Sequence, residues 1–141
     1  MKQKISAPPA KFKVADSEKI TINVGFVDLG QIDLLVSEGF YGNRTDFIRT
    51  AIRNQVNNHA DAVKQVVARK MLVLGIQSIS ADDLRALRAA KQTLAIRVLG
   101  LVTIASDVSP ELALATIASI NVLGALHASA AVKAALASRL R

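Results

Sequence analysis

The sequence contains no cysteine, which excludes disulfides, a thiol nucleophile and any cysteine-based zinc site. No apolar stretch follows Lys2 and Lys4, so no secretory signal is read and a cytoplasmic setting is expected. Enzyme signatures are missing too: there is no Gly-rich phosphate loop, no HExxH and no Ser-centred elbow pentapeptide. The one adjacent carboxylate pair, Asp82-Asp83, follows Ser80 where acidic groups suit the positive end of a helix. His59 and His127 have no ligand-type neighbours at metal spacing, and are read as a surface residue and a strand-end residue. The expectation is a protein with no catalytic residues, no cofactor and no metal.

What the chain does have is apolar content and positive charge. Half of its 141 residues are hydrophobic, enough for one packed domain or two small ones. The 18 basic and 11 acidic residues leave a net charge of +7, which favours a polyanionic partner. The excess is spread out, with 11 basic and 7 acidic groups in residues 1–70 and 7 and 4 in residues 71–141. Basicity alone therefore does not locate a binding module.

Residues 19–53 organise the N-terminal half. From Lys19 to Val24 the side chains alternate, with Ile20, Ile22 and Val24 apolar and Lys19, Thr21 and Asn23 polar, which predicts one half-buried strand. No hairpin partner follows. Val27 to Val36 changes to helical spacing, with Leu29, Ile32, Leu35 and Val36 on one stripe and Asp28 placed as N-cap. A lone strand leaves its ladder groups unpaired, and antiparallel pairing with a second copy would satisfy both. Gly39 is expected to end the first helix in a left-handed conformation. Asn43-Arg44-Thr45-Asp46 reads as a capping box for a second helix, with Phe47 and Ala51 on one apolar row and Ile48, Ile52 and Val56 on the next.

This order of strand, helix, Gly-aromatic turn and the run Tyr41 to Arg49 resembles the ribbon-helix-helix family of bacterial DNA-binding proteins, of the Arc, MetJ and CopG type. The resemblance implies a dimer in which two strands form an antiparallel ribbon that enters the major groove. It places Lys19, Thr21 and Asn23 at the base-reading positions, and Asn43, Arg44 and Thr45 at the helix start that grips a phosphate. Those residue types suit the roles: Lys reads guanine, Asn reads adenine, and Thr reads several base edges. A helix N-terminus offers N–H groups and a positive dipole end to a phosphate. Gly25 and Phe26 depart from the family, many of whose members have a polar residue and a proline there. The implied function is a sequence-specific transcriptional regulator, a repressor, with double-stranded DNA and a second copy of itself as partners.

Residues 1–18, with two prolines and four lysines, read as a flexible basic arm from which Lys11, Phe12 and Lys13 could reach DNA. Residues 57–70 read as a helical connector, interrupted at Asn57-Asn58-His59 before Val63, Val66, Val67 and Met71 resume helical spacing. In residues 71–141 the tripeptide Val-Leu-Gly occurs at 73–75, 98–100 and 122–124, each inside an apolar strand-like run. Ser80, Ser109 and Ser129 then begin helical segments, with Pro110 at the favoured first position and a Val132, Leu136, Leu140 row in the last. The fold class expected is therefore α+β: a ribbon-helix-helix module over 19–56, then three solenoid-like strand-helix repeats whose open edges favour higher assembly.

A membrane span competes for the uncharged stretch Leu112–Val132, which is long enough to cross a bilayer. The serine caps instead predict helix, strand, helix there, and no membrane partner is expected. Two other functions stay open: a scaffold that polymerises through its repeats, and an antitoxin, a use to which the resembled fold is also put. An ordered C-terminal half weighs against the second, because a toxin-wrapping tail is polar and disordered before binding.

Overall fold

The computed structural model describes residues 17–141 and divides into two compact units, with the boundary between Ala60 and Asp61. The basic arm with Lys11, Phe12 and Lys13 lies outside the described residues.

In the first unit, helix α1 spans Phe26–Ser37 and helix α2 spans Arg44–Asn58. α1 starts earlier than its polar pattern suggests. Gly25, not Asp28, is the N-cap; its carbonyl accepts from Leu29 N–H at 2.9 Å, and Asp28 sits in the first turn beside the positive end of the dipole. The helix ends as expected at Gly39, whose φ of 87° lets Phe40 N–H reach back to Leu35 O at 3.0 Å. Tyr41 and Phe47 then pack edge to face, with centroids 5.0 Å apart. At the start of α2 the Asn43 side chain accepts from Asp46 N–H at 2.8 Å, while the Asp46 carboxylate accepts from Gly42 N–H at 2.9 Å. The return bond of the expected capping box therefore lands one residue earlier. α2 continues to Asn58 and breaks at His59 before helix α3, Ala60–Lys70.

The strand expected at Lys19–Val24 is not formed within the chain. Residues 17–25 have no regular structure, and every residue from Lys19 to Val24 is exposed, including Ile20 and Ile22. The physical reason is topological: a strand exists only against a ladder partner, and the first unit has no other strand among the described residues.

The second unit is built on three parallel strands in chain order: β1 (Val73–Ile79), β2 (Leu94–Ile104) and β3 (Ile117–His127). Helices α4 (Ala81–Ala89) and α5 (Pro110–Thr116) supply the crossovers that parallel neighbours need, and α6 (Ala130–Ala135) follows β3. The three Val-Leu-Gly triplets stand side by side: Val73 pairs with Val98 and Val98 with Val122, and the leucines and glycines follow in step. All three predicted serine caps form, each side chain accepting from the N–H three residues on. In α4 the Asp83 carboxylate also accepts from Ser80 N–H at 3.0 Å, a complete capping box.

One face of this sheet carries the core. Ile79, Ile96, Val98, Val102, Ile104 and Ile120 are buried against Leu84 of α4, Leu112 and Ala113 of α5 and Val132 of α6. Buried Thr116 satisfies its hydroxyl on Leu112 O at 2.7 Å. On the opposite face, Leu99 and Leu123 share a groove of ≈ 280 Å³ with Ala62, Val63, Val66 and Val67 of α3.

Two details depart from the repeat pattern. β3 starts at Ile117, directly after α5, with a register irregularity opposite Leu94 and Ala95. The last apolar row breaks after Leu136: a 3-10 turn at Ala137–Arg139 leads Leu140 into a parallel bridge with Ile120. Arg139 holds this turn by donating to Leu114 O and Ile117 O at 2.5 and 2.7 Å. The stretch Leu112–Val132 is thus helix, strand, helix, and no helix among the described residues is long and apolar enough to cross a membrane.

Candidate nucleic-acid interface

The residues assigned to DNA fall in two places in the first unit. Lys19, Thr21 and Asn23 lie in the exposed segment that runs straight into α1. All three are exposed, and among the described residues their side chains make no hydrogen bond or ion pair. Asn43, Arg44 and Thr45 form the N-terminus of α2. Helix geometry leaves the first N–H groups without intrahelical acceptors. Asn43 Oδ1 takes the Asp46 N–H and Asn43 O takes the Phe47 N–H at 3.2 Å. The N–H groups of Arg44 and Thr45 have no acceptor among the described residues and lie at the positive end of the dipole.

The Arg44 side chain is already committed. Its Nε and one terminal nitrogen donate to the two carboxylate oxygens of Asp33, both at 2.8 Å, in a bidentate pair that ties α2 to α1. The Asp33 carboxyl is held below the ordinary carboxylate range, mainly by the Arg44 hydrogen bond, and the guanidinium is raised in turn. An anion at this helix start would therefore meet backbone N–H groups first, with Arg44 as an anchored positive charge beside them. Nothing in the local sequence signals Asp33 as the partner, because the two residues meet only once the Gly39 turn has folded α2 back.

The first unit also has too little core to stand alone. Among residues 17–60 only Ile32 is buried. Phe26, Val27, Leu34, Phe40, Ile52 and Val56 are exposed, Phe26 to 93%. Exposed apolar surface of this extent on two helices and one unpaired segment is the kind that a partner surface covers.

Residues 15–133 match the model of the ribbon-helix-helix transcriptional regulator family. The chain belongs to that family. The match runs through both units and ends inside α6, so the matched residues include all three strands of the parallel sheet. No curated protein and no solved structure matches the chain. Membership makes the protein a transcriptional regulator of a DNA-binding, non-enzymatic family. Among the described residues no group of three or more His, Asp or Glu side chains is placed to hold a metal ion.

Proposed function

We propose that the protein is a sequence-specific DNA-binding repressor of the cytoplasm that acts as a homodimer. The Lys19–Val24 segments of two copies pair antiparallel, turning Ile20, Ile22 and Val24 onto the helices and Lys19, Thr21 and Asn23 into the major groove. Asn43, Arg44 and Thr45 position the dimer on a phosphate through the α2 N-terminus. Lys11 and Lys13 add phosphate contacts from the arm. The second unit is a stack of three solenoid-like strand-helix repeats that serves assembly.

The observation that carries this reading is the first unit's apolar surface together with an unpartnered segment of alternating residues. A ribbon with a second copy would supply the missing ladder and cover the exposed isoleucines in one step. The test is binding of selected operator DNA against scrambled duplex. Thr21→Ala and Asn23→Ala are each expected to lose about 1–3 kcal/mol of preference for the operator, while affinity for scrambled duplex stays within a factor of two. Full discrimination in both variants would refute the ribbon assignment. Removing residues 71–141 separates a regulator from a scaffold: the regulator keeps weak operator binding as a dimer, and a scaffold loses its activity.

A further inference from the structure

We infer that a second copy of the chain stacks its β1 on the outer edge of β3, parallel and head to tail, with Val73-Leu74-Gly75 level with Val122-Leu123-Gly124. This deepens, and rests on, the reading of the second unit as an assembly module.

Three observations carry it. First, the interface already exists twice inside the chain, since β1 meets β2 and β2 meets β3 with the same triplets in register. The outer edge of β1 and that of β3 are the two halves of that interface left over. Neither strand contains Lys, Arg, Asp, Glu or Pro, the residues with which proteins usually block an exposed edge.

Second, the glycines are complementary. A Cβ on Gly100 would lie 2.1 Å from Gly75 O, and one on Gly124 would lie 2.0 Å from Gly100 O. Each of these glycines therefore presents its α-hydrogen to the carbonyl of the glycine before it. Gly75 shares the conformation, at φ 133°, yet a Cβ there would meet nothing within 4 Å among the described residues. Gly124 O, on the far edge, is the carbonyl that fits this space.

Third, the levels fit. Leu140 bridges Ile120, and Arg141 N–H donates to Ile120 O at 2.8 Å, which puts Leu140 at the level of Ile96. β1 begins at the level of Val98. An incoming β1 thus takes the part of the β3 edge from Val122 to His127 without displacing Leu140. In doing so it brings Leu74 and Ile76, 70% and 73% exposed, beside Leu123 and Ala125. An antiparallel pair of β1 edges would reproduce neither internal interface and would leave the β3 edge open.

The test uses the full chain with two introduced cysteines, Ile76→Cys and Ala125→Cys, since no native cysteine interferes. Within one chain these positions are two strands apart, about 9–10 Å from the strand spacing, too far for a disulfide, whereas stacked copies bring them to adjacent strands. Mild oxidation is expected to give a ladder of covalent multimers from the double variant and none from either single variant. Ile76→Lys, which puts a charge into the apolar row, is expected to lower the mean mass in sedimentation at least twofold at equal concentration. A covalent dimer from Ile76→Cys alone would mean that β1 pairs with β1, and would overturn the stack. So would a doubly substituted protein that folds, sediments as more than a dimer and yields no ladder; assembly by another surface would then survive. Unsubstituted protein that never exceeds a dimer would overturn both the stack and the assembly reading.

Discussion

Replacing Gly100 by alanine should damage the second unit far more than the same change at Gly75. Both glycines have positive φ, 143° and 133°, so an L-residue pays backbone strain of about 1–3 kcal/mol at either one. At Gly75 that is the whole local cost, because the added methyl meets nothing within 4 Å among the described residues. At Gly100 the methyl falls 2.1 Å from Gly75 O and 3.0 Å from its carbonyl carbon. Backbone on a neighbouring strand cannot rotate away as a side chain would. Restoring van der Waals contact requires β1 and β2 to separate locally by about an ångström, enough to break the ladder bonds on either side. Each buried N–H or C=O left unpaired costs roughly 1–3 kcal/mol. Strain plus two or more lost bonds predicts a total above about 4 kcal/mol for Gly100→Ala. Denaturant unfolding followed by circular dichroism at low protein concentration measures both variants. Equal losses at the two positions, or a Gly100→Ala protein within about 1 kcal/mol of the parent, would refute the packing of the glycine column.

Other consequences are quicker to check. Ser80→Ala should destabilise α4 by about 1 kcal/mol and move Asp83 only part of the way back toward the ordinary carboxylate range in an NMR titration, because the Ser80 backbone N–H that depresses it most survives the substitution and only the side-chain contribution is lost. Asp33 and Asp83 both titrate below their unfolded values, so the stability they contribute is complete above about pH 4 and is lost as pH falls through the depressed values. An Asp33→Asn, Asp83→Asn double variant should accordingly show a shallower acid limb in its stability profile. Ile52→Lys, at an exposed position on α2, should shift the first unit toward monomer in sedimentation and abolish specific DNA binding with it. Operator affinity should fall steeply with salt, with a log–log slope of roughly −0.9 per phosphate contacted.

How legible the fold was depended on the range of the interaction. Caps and turns are local chemistry, so Ser80, Ser109, Ser129, Asn43 and Gly39 all act where their sequence context placed them. The repeat was legible because β1, β2 and β3 use one triplet at one level of the sheet. Failures came where a distant partner decided the outcome. Leu140 continues an apolar row on paper, but Ile120 captures it into a bridge. Asp28 is a local exception: it has the right side chain for a cap, but α1 begins at Phe26 and leaves it in the first turn. Arg44 was assigned to phosphate from its position, and only the folded Gly39 turn reveals Asp33 beside it. The Lys19–Val24 segment has the alternation of a buried ribbon and no partner strand in the first unit among the described residues.

The two kinds of contact assigned to this chain have different symmetries, and their combination has a consequence neither has alone. A ribbon between two copies is two-fold and closes on itself, so it stops at a dimer. A β1-on-β3 stack is heterologous, and each copy keeps one free edge of each kind, so it does not close by itself. On these proposals a dimer made through the first unit would carry two second units, each with two edges able to join further dimers. Bound side by side on DNA, neighbouring dimers would hold one another's second units at an effective concentration set by the α2-to-α3 connection at His59, in place of the bulk value. Occupancy of an array of half-sites should then rise more steeply with protein concentration than occupancy of a single operator. The Ile76→Lys variant should flatten the array isotherm and leave the single-site isotherm where it was. If both isotherms moved together, the second unit would be acting on the DNA-reading module itself and not on its neighbours.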